Sequence, residues 1–280
     1  MSRTDRFHIG LKLWSVNTGA SQREARCLYD AGVYDYLELY AVPGTADTLP
    51  GWKELGIPCV IHAAHFKHGF NLARAECAVS NLRIYDEMRR FADELGAQYI
   101  IFHGGTFGCI EETVRQLAAL HEPRALIENK PAITRNEGEI LECRGATADE
   151  IRQVLHGTGC GFCLDIPHAL CAANYMQQEQ MSMLHEMNRL SPSMYHLADM
   201  MSPDLLIDDH TRLGRGILDF ARFIPGILAP GAMVTIETNR TRPDALDEFK
   251  REVEHFRTCV ENSYVDEALN PGIDMHVKSC

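Results

Sequence analysis

Residues 78–103 read AVSNLRIYDEMRRFADELGAQYIIFH, and two periods meet within them. From Ala78 through Leu82, Tyr85, Met88 and Phe91, apolar side chains recur at three- and four-residue steps. Arg83, Asp86, Glu87, Arg89 and Arg90 take the other face, so the spacing predicts an amphipathic helix. From Ala97 to His103 the chain is almost continuously apolar, as a strand covered on both faces is. The same unit recurs outward from this stretch. The apolar runs are Ile9–Trp14, Tyr34–Tyr40, Pro58–His62, Ala97–His103, Arg124–Glu128, Gly161–Asp165, Met194–Leu197 and Met233–Glu237. Strand followed by helix, repeated, predicts parallel strands joined by right-handed crossovers. Eight such units in 280 residues predict an α/β chain folded as a single (β/α)8 TIM barrel over residues 1–280. The alternative, a doubly wound open sheet, calls for a glycine-rich phosphate loop after an early strand, and Gly104-Gly105 is too short for one. Residues 270–280, with Pro271-Gly272 and little periodicity, are expected to form a loose tail.

Composition bounds the function. With 45% hydrophobic and 24% charged residues the chain is neither disordered nor a small disulfide scaffold. A net charge of −12 argues against general nucleic-acid affinity, which rests on Lys and Arg contacts to phosphate. No apolar run approaches the ~20 residues of a membrane span, and the start, Met1–His8, lacks the apolar stretch of a signal peptide. A cytoplasmic protein without membrane contact is therefore expected, its ten cysteines reduced. Cys160-Gly161-Phe162-Cys163 is a lone CxxC within a strand run and reads as small hydrophobes rather than a metal or redox pair.

The informative feature is what ends each strand. Run three ends in His62, run four in His103, run five in Glu128, run six in Asp165 and run eight in Glu237, while run seven contains His196. His168 follows Asp165 by three residues; Asp208 and His210 precede Leu213-Gly214-Arg215-Gly216. In a parallel barrel the C-terminal strand ends share one face, so five imidazoles and four carboxylates converge on one mouth. Singly, each has a plain reading as a satisfied polar residue or a helix cap. Nine together point to a metal site of zinc, manganese or iron type, because buried carboxylates and imidazoles need cations. His65 and His68 lie in the loop after run three, near the expected site, and both are candidate substrate contacts. His121, His156 and His255 fall in predicted helices or their ends, and His8 at the opposite face.

The blocks Val60–His65, Phe102–Gly105, Ile127–Asn129, Cys163–Ala169, His196–Asp199, Asp208–Gly216 and Ile236–Thr238 follow one order along residues 58 to 240. In that order the sequence resembles the endonuclease IV family, within the xylose-isomerase-like barrels. The resemblance implies up to three zinc ions: one on His62, His103 and a bridging Glu128, a second on Glu128, Asp165, His196 and Glu237, a third on His168, Asp208 and His210. It implies phosphoester hydrolysis, with Glu128 as bridge and anchor and Glu237 positioning the attacking water. Arg212, Arg215, Arg240 and Arg242 follow runs seven and eight and would form a cationic rim for an anionic substrate. Two departures concern DNA. The loop Ala41–Asp47 has no basic residue, and His65 stands where the repair enzymes carry Tyr. The block Gly10–Ser15 resembles the sugar isomerase branch. Abasic DNA, a smaller phosphoester and a sugar therefore all stand as candidate substrates. A mononuclear sugar isomerase or epimerase would need only Glu128, Asp165, His196 and Glu237, with Lys130 on a sugar hydroxyl. A sugar- or nucleotide-binding barrel without catalysis would need fewer of the nine.

Overall fold

In the computed structural model, residues 7–229, 231–242 and 245–269 are described. Eight parallel strands close into a barrel: β1 (His8–Trp14), β2 (Tyr36–Tyr40), β3 (Cys59–His62), β4 (Ile100–His103), β5 (Ala125–Glu128), β8 (Gly161–Asp165), β9 (Met194–Leu197) and β10 (Met233–Ile236). Neighbours in sequence are neighbours in space, and β1 pairs with both β2 and β10 to complete the ring. Around it run α1 (Ala20–Asp30), α2 (Leu49–Glu54), α3 (Ala78–Leu95), α4 (Ile110–Ala119), α5 (Ala148–Thr158), α6 (Ile166–Tyr175), α7 (Gln180–Asn188), α8 (Phe220–Ile227) and α9 (Asp247–Leu269). This is the (β/α)8 barrel that the eight apolar runs predict. Among the described residues no helix is long and apolar enough to cross a membrane. The expected loose tail at 270–280 lies outside the described residues.

Strand side chains alternate between two buried faces. Outward, Ile9, Leu11, Leu37, Leu39, Ile61, Phe102, Ile127, Phe162, Leu164, Leu197, Val234 and Ile236 pack beneath the helices in the main core. Inward, Tyr36, Val60, Ile101, Leu126, Cys163 and Met194 fill the lumen as a floor. Gly10 belongs to the same layer, and a Cβ there would come within 2.5 Å of the Tyr36 ring. Because the period is two, the next inward residue on each strand stands one layer above this floor. On β1 to β5, β8 and β9 those residues are Lys12, Glu38, His62, His103, Glu128, Asp165 and His196. The floor thus sets the height of the site.

Two features depart from expectation. The segment between β5 and α5 holds an antiparallel hairpin, β6 (Ile133–Asn136) and β7 (Glu139–Glu142), turning through Glu137 and Gly138 at positive φ. Its signal, a Glu-Gly pair between apolar-polar alternations, is weak but present in the sequence. On α3 the expected Leu82 is 52% exposed, and Asn81 takes the inward slot. Its amide accepts from the Asn71 N–H at 2.9 Å and donates to Asn71 O and Gln116 Oε1 at 2.9 and 2.7 Å. A buried amide with its bonds made does not disturb the helix, yet polarity alone assigns it to the surface.

Candidate metal centre

The nine candidate ligands do meet at the C-terminal mouth, in overlapping groups whose ligand atoms lie within 4.8 Å of one another. Two of these groups, Glu38–His62–Glu237 and Glu128–Asp165–His168, link three others that share no residue and together hold all nine. His62, His103 and Glu128 form the first. The Nε2 atoms of both histidines lie 3.1 Å from the same Glu128 oxygen and 3.2 Å from each other. His62 directs Nδ1 at the Ala63 carbonyl, 2.8 Å away, which leaves Nε2 with its lone pair toward Glu128. Asp165, His196 and Glu237 form the second, with His196 Nδ1 2.9 Å from Glu237 and 3.7 Å from Asp165. His168, Asp208 and His210 form the third, Asp208 lying 2.9 Å from His210 and 3.7 Å from His168. Glu128 stands between groups, its other oxygen 3.1 Å from His168.

Local structure explains how each ligand is held. Asp165 caps α6, one oxygen accepting from the His168 N–H at 2.7 Å, and the other faces the site. The cap reading and the ligand reading of this residue are compatible. Asn129 ties the ends of β5 and β8 by a reciprocal pair: its amide donates to Asp165 O at 2.9 Å and accepts from Asp165 N at 2.8 Å. Asp208 and His210 ride on the long connection after β9. The buried Asp199 carboxylate organises it by accepting from the N–H groups of Met200, Gly214, Gly216 and Leu218 at 2.8–3.0 Å. A Cβ at Gly216 would come within 2.3 Å of that carboxylate, so only glycine fits.

The electrostatics suit cations. Burial lowers the His103 imidazole to about 3 despite Glu128 beside it, so it is neutral and can donate a lone pair. Burial, with His103 close by, likewise keeps His65 well below the usual histidine range. Glu128 and Glu237 are held well below the usual carboxylate range against their burial, by His103 and Lys130 and by Lys12 and His196 respectively. Several buried atoms have no aligned hydrogen bond: Nδ1 of His103, His196 and His210 and Oδ2 of Asp208; Glu237 Oε2 has the Lys12 ammonium 2.6 Å away. Two of these pairs, His196–Glu237 and His210–Asp208, are close but misaligned for a hydrogen bond. Against its burial Asp208 draws His210 up to about 9, and the acidic groups Cys163, Glu38 and Glu237 raise His196 well above the usual histidine range. A divalent cation would take the place of those protons, and imidazole with carboxylate fits such an ion. Cys163 belongs to the lumen floor, and burial pushes its thiol up to about 12.

The surroundings correct part of the sequence expectation. A cavity of about 250 Å³ opens over the centre, lined in part by Lys12, Trp14, His65, Lys67, Lys130 and Asn239. His65 lies flat on His103, ring centroids 5.3 Å apart. The arginine rim does not form. Arg212 is taken by Glu248, Arg240 turns to the Lys12 carbonyl at 3.1 Å, Arg242 pairs with Asp247, and Arg215 is exposed away from the cavity. Three lysines supply the positive charge at the mouth instead. Sequence reasoning from strand ends missed Lys12 and Glu38, which lie inside β1 and β2 because these strands run one inward residue further, to Trp14 and Tyr40. Glu38 accepts from His196 Nε2 at 2.9 Å and Thr235 Oγ1 at 2.7 Å, which leaves His196 Nδ1 for the site. A charge within the apolar runs GLKLW and YLELY was the signal.

Comparison with known proteins agrees with the barrel fold. Residues 51–259 match the model of the xylose isomerase-like TIM barrel family. The chain belongs to that family. Among solved structures, family folds recur at low identity. A D-tagatose 3-epimerase-like protein superposes with a TM-score of 0.68 at 16% identity, covering 93% of this chain and 99% of its own. Endonuclease IV from Thermus thermophilus gives 0.66 at 22% identity, covering 91% and 99%. A family 2 AP endonuclease from Brucella melitensis gives 0.61 at 18%, covering 88% and 98%. These likenesses are of fold, and the proteins that share it here are named as an epimerase-like protein and as endonucleases. No curated protein sequence matches the chain.

Proposed function

We propose that this protein is a metal-dependent phosphoester hydrolase holding up to three divalent ions, zinc foremost, on the nine converging ligands. The observation that carries the reading is that the candidate ligands form overlapping groups, three of which share no residue: His62–His103–Glu128, Asp165–His196–Glu237 and His168–Asp208–His210. A single-ion isomerase uses only Glu128, Asp165, His196 and Glu237. It leaves His62, His103, Asp208 and His210 buried or half-buried without a task. Endonuclease IV, whose barrel this chain shares, is the hydrolase of the family with which the ligand blocks agree.

Clustered divalent ions, when bound, acidify a coordinated water and spread the charge of a phosphate. The chain's own groups supply the rest. Lys12, Lys67 and Lys130 offer ammonium groups to an anionic substrate at the cavity wall. Trp14, 41% exposed and stacked on Tyr40 at 4.7 Å, offers an aromatic face at the rim. The neutral His65 lies over His103 and faces the cavity, so a substrate oxygen can accept or donate there without a second cation to displace. A cavity of about 250 Å³ with no arginine rim favours a small phosphoester over duplex DNA.

Elemental analysis of protein purified without added metal or chelator tests the reading. Two to three ions per chain are expected, and one fewer in both His62→Ala and His210→Ala, each with at least about a hundredfold loss of diesterase activity on bis(p-nitrophenyl) phosphate. One ion per chain, unchanged in both variants, together with epimerisation of ketohexoses, would establish the isomerase instead. Cleavage of an abasic duplex faster than of the small diester would return DNA as substrate.

A further inference from the structure

The three triads are not equally open to a cation. Two buried ammonium groups already stand among the carboxylates. Lys12 Nζ lies 2.6 Å from Glu237 Oε2 and 3.1 Å from Glu38 Oε1. Lys130 Nζ lies 3.2 Å from Glu128 Oε1 and 3.4 Å from both ring nitrogens of His168. Both lysines are nine-tenths or more buried. Together they engage Glu237 and Glu128, which are two of the four ligands that the middle position, around Asp165 and His196, would use.

The outer positions differ. Glu128 turns Oε2 to His62 and His103, whereas Lys130 bonds Oε1. Asp208 pairs with His168 and His210, and neither lysine shares it. An ion entering the middle position must take Glu237 from Lys12 and share Glu128 with Lys130. It then sits close to two like charges in a water-poor site, where repulsion is poorly screened. Lys130 does stand 3.4 Å from His168, but an ion entering the His168–Asp208–His210 triad takes no carboxylate from an ammonium, and one at His62, His103 and Glu128 uses the Glu128 oxygen that Lys130 leaves free.

We infer that Lys12 and Lys130 set the order in which ions enter the centre: the two outer triads fill first, and the Asp165–His196–Glu237 position fills last and holds its ion most weakly. The inference rests on the metal-centre reading above and adds a residue-level cause for unequal affinity. With the middle position empty, Lys12 balances Glu38 and Glu237, so the barrel stays intact while that ion exchanges. The same two ammonium groups contest the very position that a single-ion isomerase depends on.

The test is a zinc titration of the metal-stripped full-length protein against a chromophoric chelator, with native mass spectrometry for the ion count. Two ions are expected to bind at least about tenfold more tightly than the third. Lys12→Met should tighten the third step about tenfold or more and leave the first two in place, while Lys12→Arg, which keeps the charge, should retain the weak step. Zinc-free Lys12→Met should also melt at a lower temperature than zinc-free wild type, since Glu38 and Glu237 lose their counter-ion. Lys130→Met, which relieves the Glu128 side, decides the question should Lys12→Met fail to fold. Three indistinguishable steps in the wild type, or an unchanged third step in folded variants, overturn this inference alone. No bound zinc in any of the proteins overturns the metal-centre reading with it.

Discussion

Asn129 shows how much of the centre depends on residues that hold no ion. Its side chain spans the gap between β5 and β8 and satisfies both the N–H and the carbonyl of Asp165, while its own carbonyl lies 3.0 Å from His168 Nδ1. The side-chain amide therefore fixes the backbone of Asp165, and the main-chain carbonyl of the same residue orients the His168 ring. Asn129→Ala would leave two buried backbone groups without this partner, at about 1–3 kcal/mol each. It should also weaken zinc binding roughly 10- to 100-fold, because ligands that wander lose their preorganisation. Urea unfolding and chelator competition measure the two effects separately. A stability loss with undiminished zinc affinity would make Asn129 a strand tie alone.

At the scale of elements, the connection from β9 to α8 is the part of the barrel that most needs explaining. It carries Asp208 and His210 on irregular backbone, His210 itself at φ 46°. Its order comes from the Asp199 carboxylate, which gathers four backbone N–H groups, and from Asn239 after β10, which donates to the Asp209 carbonyl at 3.0 Å. Asp199→Ala removes the acceptor common to all four N–H groups and should cost about 3 kcal/mol. The loss should be selective: the ion of the His168–Asp208–His210 triad goes while those nearer His62 and His196 stay, so elemental analysis should fall by one ion per chain. Limited proteolysis should then cut within residues 200–218. Loss of every ion together would mean that the connection supports the whole mouth.

For the molecule as a whole, the site gathers more carboxylate than lysine. Glu38, Glu128, Asp165, Asp208 and Glu237 face Lys12 and Lys130, with histidines between. An ion that binds only the folded chain stabilises it by mass action, about 2.7 kcal/mol at a hundredfold excess over Kd. For a chain of this size that is a rise in Tm of roughly 5–10 °C. Differential scanning calorimetry with zinc and with a chelator checks this. The shift should shrink in His62→Ala and His210→Ala, and a Tm indifferent to zinc would mean that the folded chain holds no ion.

The sequence by itself determined the barrel and nine residues of its mouth. Eight apolar runs, each followed by an amphipathic stretch, leave few ways to bury both faces of a parallel sheet, and polar residues at the ends of such runs stand out against an apolar background. Lys12 and Glu38 were half legible: their charge within apolar strands was visible, but their height relative to His62 and Glu128 follows only from strand register. The arginines after β9 and β10 were misplaced, because position along a loop does not say which way a long side chain turns or which carboxylate takes it. The buried Asn81 escaped for a related reason, since its partners Asn71 and Gln116 are distant in sequence; the β6–β7 hairpin is local but its Glu-Gly turn is a weak signal. Which carboxylate oxygen meets which imidazole, and which meets an ammonium, was settled by closure of the ring. Strand period assigns a side chain to a face, and only the closed barrel assigns it a neighbour.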